Sequence, residues 1–105
     1  MGTTRKRRQF QDLWSEVLTY KGTLNVANLA DGAGSTETAT VPGAALGDFA
    51  EASLGVSAAG ITVTAYVSAA GTVSVRVQNE SGGAVDLAST TLRIVVYKPA
   101  SHAFF

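Results

Sequence analysis

The longest uncharged stretch of this chain, residues 52–75, limits the folds that the chain can adopt. In and just after this stretch, apolar side chains alternate with polar ones, and the apolar positions are Ile61, Val63, Ala65 and Val67, followed by Val73, Val75 and Val77. A period of two is the pattern of a β-strand that buries one face. An amphipathic helix would repeat its apolar residues every three or four positions. The stretch therefore predicts short, neutral strands.

Turn-forming residues divide this region into strands. The sequence Ser-Ala-Ala-Gly at residues 68–71 predicts a tight hairpin, in which Gly71 can adopt the left-handed conformation. Pro42 and Gly43 predict a type II turn, because proline presets φ at the second position and glycine accepts a positive φ at the third. Further strand candidates lie at residues 24–29, 36–41, 46–54 and 92–96.

Five or six short strands with turns about every eight to twelve residues predict an all-β fold. The expected architecture is a small antiparallel β-sandwich or jelly-roll-like domain. Its core is expected to contain the inward-facing residues Ile61, Val63, Val67, Val73, Val75, Val77, Leu92, Ile94 and Val96.

A basic cluster near the start of the chain is followed by apolar residues at helical spacing. The basic residues are Arg5, Lys6, Arg7 and Arg8, and the apolar residues are Phe10, Leu13, Trp14, Val17 and Leu18. The apolar set falls on one face of an α-helix, which predicts a short helix over residues 10–20. An extended arm whose aromatic side chains fill pockets is the alternative. We expect both sets to bind a partner, because aromatic anchors beside basic residues are typical of interfaces; packing of the apolar set on the chain's own β-domain is the other possibility.

Three segments follow from these patterns: a basic, amphipathic arm at residues 1–22, a β-sandwich domain at 23–98 and a tail at 99–105. Charge is unevenly distributed among them. Four of the eight basic residues lie at positions 5–8, so the other four are outnumbered by eight acidic residues and the remainder carries a net charge of −4. The arm and the body should therefore attract different partners.

Few devices are available to stabilise so small a β-domain. A domain of about 60 residues has a marginal core, and the absence of cysteine removes disulfides and thiolate metal sites. Charged residues make up only 15% of the chain, against about 25% in a typical protein, so we expect neighbouring subunits to cover part of the surface. Together these observations predict a homo-oligomer.

Residues 40–98 resemble a class of small virion proteins of tailed bacteriophages. The segments that carry the resemblance are TVPGAALGDF at 40–49, GITVTAYV at 60–67, VSVRVQN at 73–79, VDLAS at 85–89 and TLRIVV at 91–96. Modules of this class look like capsid decoration (cement) proteins or parts of fibres, and they are commonly trimeric β-structures. The resemblance implies no catalytic residue and does not include residues 1–20.

The function implied by this resemblance is structural. The chain is expected to be a trimeric decoration protein that binds the major capsid protein or another virion protein, stabilises the head shell and lies on the surface of the phage head. A head-fibre or tail receptor-binding module is the alternative, since Tyr66 and Tyr97 could stack on a sugar, although such tyrosines also suit cross-strand pairing. A small nucleic-acid-binding protein that uses the basic arm is the alternative of another class. The acidic remainder of the chain disfavours it.

Catalysis, metal binding and membrane insertion are not expected. His102 lies in a terminal tail, where the geometry needed for a catalytic base would be loose. The acidic residues are scattered without the spacing of a calcium loop, and residues 31–34 lack the lysine of a phosphate-binding loop. No apolar run is long enough to cross a membrane. We predict neither a cofactor nor a metal.

Overall fold

Six β-strands build the part of the chain that the computed structural model describes, residues 13–58 and 60–100. They are β1 (Trp14–Leu24), β2 (Gly34–Thr40), β3 (Phe49–Leu54), β4 (Ile61–Ala69), β5 (Thr72–Asn79) and β6 (Thr90–Pro99). The first sheet has the strand order β1-β6-β3 and the second has the order β2-β5-β4, with all pairs antiparallel. The two sheets share one hydrophobic core. The predicted all-β class and the small antiparallel sandwich are confirmed.

The central strand of each sheet supplies most of the core. The side chains with almost no exposure are Val73, Val75 and Val77 in β5 and Leu92, Ile94 and Val96 in β6. A strand with neighbours on both sides has no open edge, so its inward side chains are removed from water, at a gain of about 1.5–3 kcal/mol each. Of the predicted core residues, only Val63 keeps partial exposure. It lies in the edge strand β4 and packs against the core from there.

Both turns that were predicted from glycine are confirmed. Ala44 N donates a hydrogen bond of 3.1 Å to Val41 O, which closes the turn, and Gly43 has a φ of +93°. Gly71 has a φ of +73° between β4 and β5. A side chain bearing Cβ is strained at such angles, so glycine allows the chain to reverse at both places.

The helix predicted over residues 10–20 is wrong from Trp14 onward, because those residues form β1. The inward side chains of β1 repeat every second residue, and Leu18 and Tyr20 pack against the core. Val17 faces outward instead. Because both faces of the strand carry apolar residues, their spacing matched that of a helical face. The backbone N–H and C=O groups that a helix would pair internally form hydrogen bonds with β6 instead. The first positions of the predicted helix lie outside the described residues.

Strand bounds also differ from the prediction. Residues 14–22, which were assigned to an arm, belong to the sandwich as part of β1. β1 ends at Leu24, so the strand predicted over residues 24–29 is reduced to a single bridge between Leu29 and Val85. The strand predicted over residues 46–54 begins only at Phe49.

The buried side chain of Asn79 joins two long loops to the end of β5. Its Nδ2 donates hydrogen bonds of 2.8 Å to Leu29 O and to Gly83 O. Its Oδ1 accepts hydrogen bonds from Ser81 N at 3.0 Å and from Ser81 Oγ at 2.7 Å. The amide thus uses both donors and both acceptor positions. The loop before β2 and the loop after β5 are therefore fixed to the same point.

Candidate partner-binding surface

Aromatic side chains from three strands meet on the outer face of the first sheet. The Trp14 ring centroid lies 5.4 Å from that of Phe49, in an edge-on arrangement, and 5.0 Å from that of Tyr97. Val17 and Phe49 flank Tyr97, because each is its direct partner in the sheet. Aromatic pairs at these distances contribute about 0.5–1.5 kcal/mol beyond the burial of area. We refer to Trp14, Val17, Phe49 and Tyr97 as the aromatic surface.

A β-bulge at Ser15 brings Trp14 to this face. The register of β1 against β6 shifts between Trp14 and Glu16. In a regular strand Trp14 would share the inward face with Leu18, since side chains alternate between faces. The extra residue of the bulge reverses that orientation. Ser15 Oγ donates a hydrogen bond of 3.2 Å to Lys98 O and so links the bulge to β6.

Much of the aromatic surface is open to solvent. Val17 and Phe49 each keep 48% of their area exposed, and Trp14 and Tyr97 are partly buried. A single exposed apolar side chain is ordinary on a protein surface, but a contiguous apolar patch marks a site of contact. Tryptophan, tyrosine and phenylalanine are also the residues enriched at interfaces. The aromatic surface is therefore a candidate docking site.

An ion pair fixes the segment that leads into Phe49. Lys98 Nζ donates hydrogen bonds to Asp48 Oδ2 at 2.7 Å and to Gly43 O at 2.9 Å. Asp48 Oδ2 also accepts a hydrogen bond of 2.9 Å from Ala45 N. These contacts hold the residues before β3 as a turn against the end of β6. They set the position at which Phe49 enters the aromatic surface.

Both ends of the described chain lie beside the aromatic surface. Ala100 N donates a hydrogen bond of 2.8 Å to Leu13 O, and Leu13 directly precedes Trp14. The positions before Leu13 therefore join the sandwich at the same corner. Those positions lie outside the described residues and include the predicted site residues Arg5, Lys6, Arg7, Arg8 and Phe10.

The other predicted site residues do not form one surface. Trp14, Val17 and Leu18 lie in β1, on two different faces, and Leu13 directly precedes the strand. Trp14 and Val17 belong to the aromatic surface. Leu18 points inward, packs against the core and lies close to Gly43. Leu13 is partly buried at the corner where the chain enters. Leu18 thus contributes to the sandwich, while Trp14 and Val17 are available to a partner.

Phe49 was not predicted as a binding residue, and Tyr97 was considered only as a sugar contact, although a signal for both was present. Alternation placed Phe49 on the face opposite Ala50 and Ala52, and Tyr97 on the face opposite Val96. The order of strands was the missing information. Only when β1 and β3 are known to flank β6 do these side chains meet Trp14.

Comparisons of the chain with protein-family models, with curated proteins and with solved structures found no match. Within residues 13–58 and 60–100, no three histidine or acidic side chains cluster as a metal site would require. No helix capable of spanning a membrane occurs in those residues. A functional proposal therefore rests on the geometry of the aromatic surface and on the sequence segments of residues 40–98.

Proposed function

We propose that this protein is a structural virion protein of a tailed phage, a homotrimeric decoration protein that attaches to the capsid and stabilises the head shell. The observation that carries the proposal of a docking protein is the aromatic surface at the corner where the basic segment joins the sandwich. The phage assignment and the number of three subunits are supported by the resemblance of residues 40–98 to small virion proteins.

The aromatic surface and the basic segment would contribute differently to attachment. Phe49 and Val17 offer exposed apolar area, and Trp14 and Tyr97 back them with rings that are already held in place. Anchors that are ordered before binding lose little conformational entropy on binding. The basic residues at positions 5–8 would steer the protein to an acidic surface of the shell, which affects the association rate more than the affinity.

Attachment of this kind stabilises the shell by mass action. A protein that binds the assembled shell and not its separated subunits adds RT ln(1 + [L]/Kd) per site, which is about 2.7 kcal/mol when the free protein is at 100 times its Kd. A small sandwich suits this role because it can attach through one docking face and needs no catalytic site. The capsid should therefore withstand heat and low salt better with the protein bound.

A receptor-binding module of a fibre or tail is the second candidate function. The observation that favours it is Tyr66, whose side chain is 50% exposed on the outer face of the second sheet. Thr64 lies on the same face of β4, and Ser68, whose Oγ accepts a hydrogen bond of 2.8 Å from Ser74 Oγ, follows the ring along the strand. An exposed ring among hydroxyls could bind a neutral sugar. Binding to bacterial cells that is lost in Tyr66→Ala would favour this function over capsid attachment.

Co-sedimentation with capsids that lack the native protein tests the proposed function. We expect the wild-type protein to sediment with such capsids and to raise the temperature at which they release DNA. Phe49→Ser and Val17→Ser should weaken attachment at least about tenfold, because truncation of an interface anchor costs about 2 kcal/mol or more.

Val56→Ser provides the matched control. Val56 is 41% exposed and lies in the loop between β3 and β4, away from the aromatic surface. It should attach like the wild type. Wild-type attachment by Phe49→Ser and Val17→Ser, or absence of wild-type attachment to any capsid, would contradict the proposal.

A further inference from the structure

We infer that the open edge of β4 is a self-association surface, along which β4 of a second copy pairs antiparallel and extends the second sheet. This inference goes beyond the proposed function, because it adds a contact between copies that a threefold arrangement does not supply. The contact is two-fold and uses one surface of each copy, so it is separate from a threefold arrangement on the shell.

Two open three-stranded sheets leave four edge strands in the described part of the chain, and only β4 among them lacks a charged side chain. β1 contains Glu16 and Lys21, β2 contains Glu37 and β3 contains Glu51. The sequence of β4, ITVTAYVSA, has neither a charge nor a proline. Charges and prolines on edge strands prevent pairing with other chains. β4 has no such protection.

The contrast is sharpest with β2, which forms the opposite edge of the same sheet. Glu37 is the direct partner of Val75, so it lies on the inward face of β2. Its Oε2 accepts a hydrogen bond of 2.9 Å from Ser35 Oγ. A strand added beside β2 would bury this carboxylate. Inward-pointing charged residues are one of the features by which natural edge strands avoid pairing with other chains. Of the two edges of this sheet, only β4 is left available for pairing.

The inward side chains of β4 are incompletely covered. Val63 and Ala65 are partly buried. Together with Thr64 and with Ala50, Glu51 and Ala52 of β3, they line an open cleft of about 310 Å³ between the edges of the two sheets. An added strand would place every second side chain over this cleft. In strand addition, main-chain hydrogen bonds supply affinity and such clefts supply specificity.

A second copy of β4 suits this edge in charge and in shape. Antiparallel pairing about a two-fold axis near Thr64 sets Thr62 against Tyr66 of the second copy on the outer face. On the inner face, Val63 meets Ala65 over the cleft. Aromatic and β-branched side chains are favourable cross-strand neighbours. Because every one of these β4 residues is neutral, the strand pair itself opposes no like charges. The charged residue of the cleft, Glu51 of β3, is exposed to solvent.

Disulfide trapping tests this contact cleanly, because the chain contains no cysteine. Thr62→Cys, Thr64→Cys and Tyr66→Cys each place one thiol on the exposed outer face of β4. Thr38→Cys is the control, since Thr38 is exposed on the outer face of β2. A disulfide needs Cβ atoms about 3.5–4.5 Å apart, so the cysteine nearest the axis should cross-link at least about tenfold faster than the control. Equal rates for all four variants would overturn the inference.

A charge substitution gives an independent readout. We expect the wild-type protein to self-associate at micromolar concentration in sedimentation experiments and Thr64→Lys to sediment at about half the wild-type mass, because a two-fold contact joins copies in pairs. Because Thr64 is exposed, Thr64→Lys should keep the circular dichroism spectrum of the wild type. Thr38→Lys, the control on β2, should associate normally. Unchanged association of Thr64→Lys, or a wild-type protein that is monomeric at every concentration, would overturn the inference.

Capsid attachment distinguishes failure of this inference from failure of the proposed function. Val17→Ser alters the aromatic surface only, so it should cross-link through β4 normally while it loses attachment. If the protein cross-links normally through β4 but attaches to no capsid, the proposed function is wrong and the β4 contact is supported. If the protein attaches to capsids but does not cross-link through β4, the β4 contact is wrong and the proposed function is supported.

Discussion

The side-chain amide of Asn79 donates a hydrogen bond of 2.8 Å to the carbonyl oxygen of Leu29, which lies fifty residues earlier in the chain. Together with its bonds to Gly83 and Ser81, this contact makes Asn79 a fully satisfied polar group in a buried position. Networks of this kind rigidify a fold because every member depends on the others.

Asn79→Ala should lower the free energy of unfolding by about 2–4 kcal/mol, because each lost hydrogen bond contributes about 0.5–1.5 kcal/mol. Urea denaturation followed by circular dichroism measures the change. Asn25→Ala is the control, since Asn25 is exposed in the loop after β1 and should change stability by less than about 0.5 kcal/mol. Equal stability of the two variants would show that the two loops do not depend on Asn79.

Val75→Asp should unfold the domain, whereas Val17→Asp should not. Val75 is completely buried in the central strand of the second sheet, and an unpaired carboxylate there costs several kcal/mol. Val17 is half-exposed on the aromatic surface, so the same chemical change leaves the core intact. Circular dichroism and thermal melts compare the two proteins. A folded, soluble Val75→Asp would show that the assignment of the buried face is wrong.

Lys98→Met should destabilise the domain by about 1–3 kcal/mol, because it leaves the carboxylate of Asp48 nearly buried without its cation. Asp48→Asn combined with Lys98→Met should be less destabilising than the sum of the two single changes. A double-mutant cycle in urea measures this coupling. Strict additivity would mean that the 2.7 Å contact contributes nothing to stability.

Two truncations should separate the basic segment from the sandwich. Removal of residues 1–12 keeps every described pair between β1 and β6, so the protein should fold and should lose the salt dependence of attachment to the shell. Removal of residues 1–18 takes away the first five residues of β1, including Leu18, and uncovers part of β6. The longer truncation should therefore melt at a lower temperature. Similar melting temperatures would mean that the start of β1 adds no stability.

The central strands could be predicted from the sequence because their apolar residues alternate with polar ones. Val73, Val75 and Val77 are the apolar residues of β5 and all lie on one face, so alternation alone identifies the inward face of the strand. Gly43 and Gly71 were identifiable for a similar reason, since a positive φ restricts the choice of residue.

The start of β1 could not be predicted in this way because both of its faces carry apolar side chains. Val17 faces outward and Leu18 faces inward, so periodicity did not distinguish strand from helix. The aromatic surface also depends on the bulge at Ser15 and on the order of strands, which are set by tertiary pairing. Neither can be read from local patterns.

The hydrogen bond between Ala100 and Leu13 holds Leu13 beside the aromatic surface. This position limits how far the basic residues can lie from that surface. A chain spans at most about 3.5 Å per residue, so Arg8 stays within roughly 17 Å of Leu13 in any conformation. Once the aromatic surface docks, the arginines are tethered beside the same partner, at an effective concentration in the millimolar range. Two weak contacts then combine into an avidity that neither supplies alone, so a variant that weakens one of them should occupy fewer sites at a given concentration.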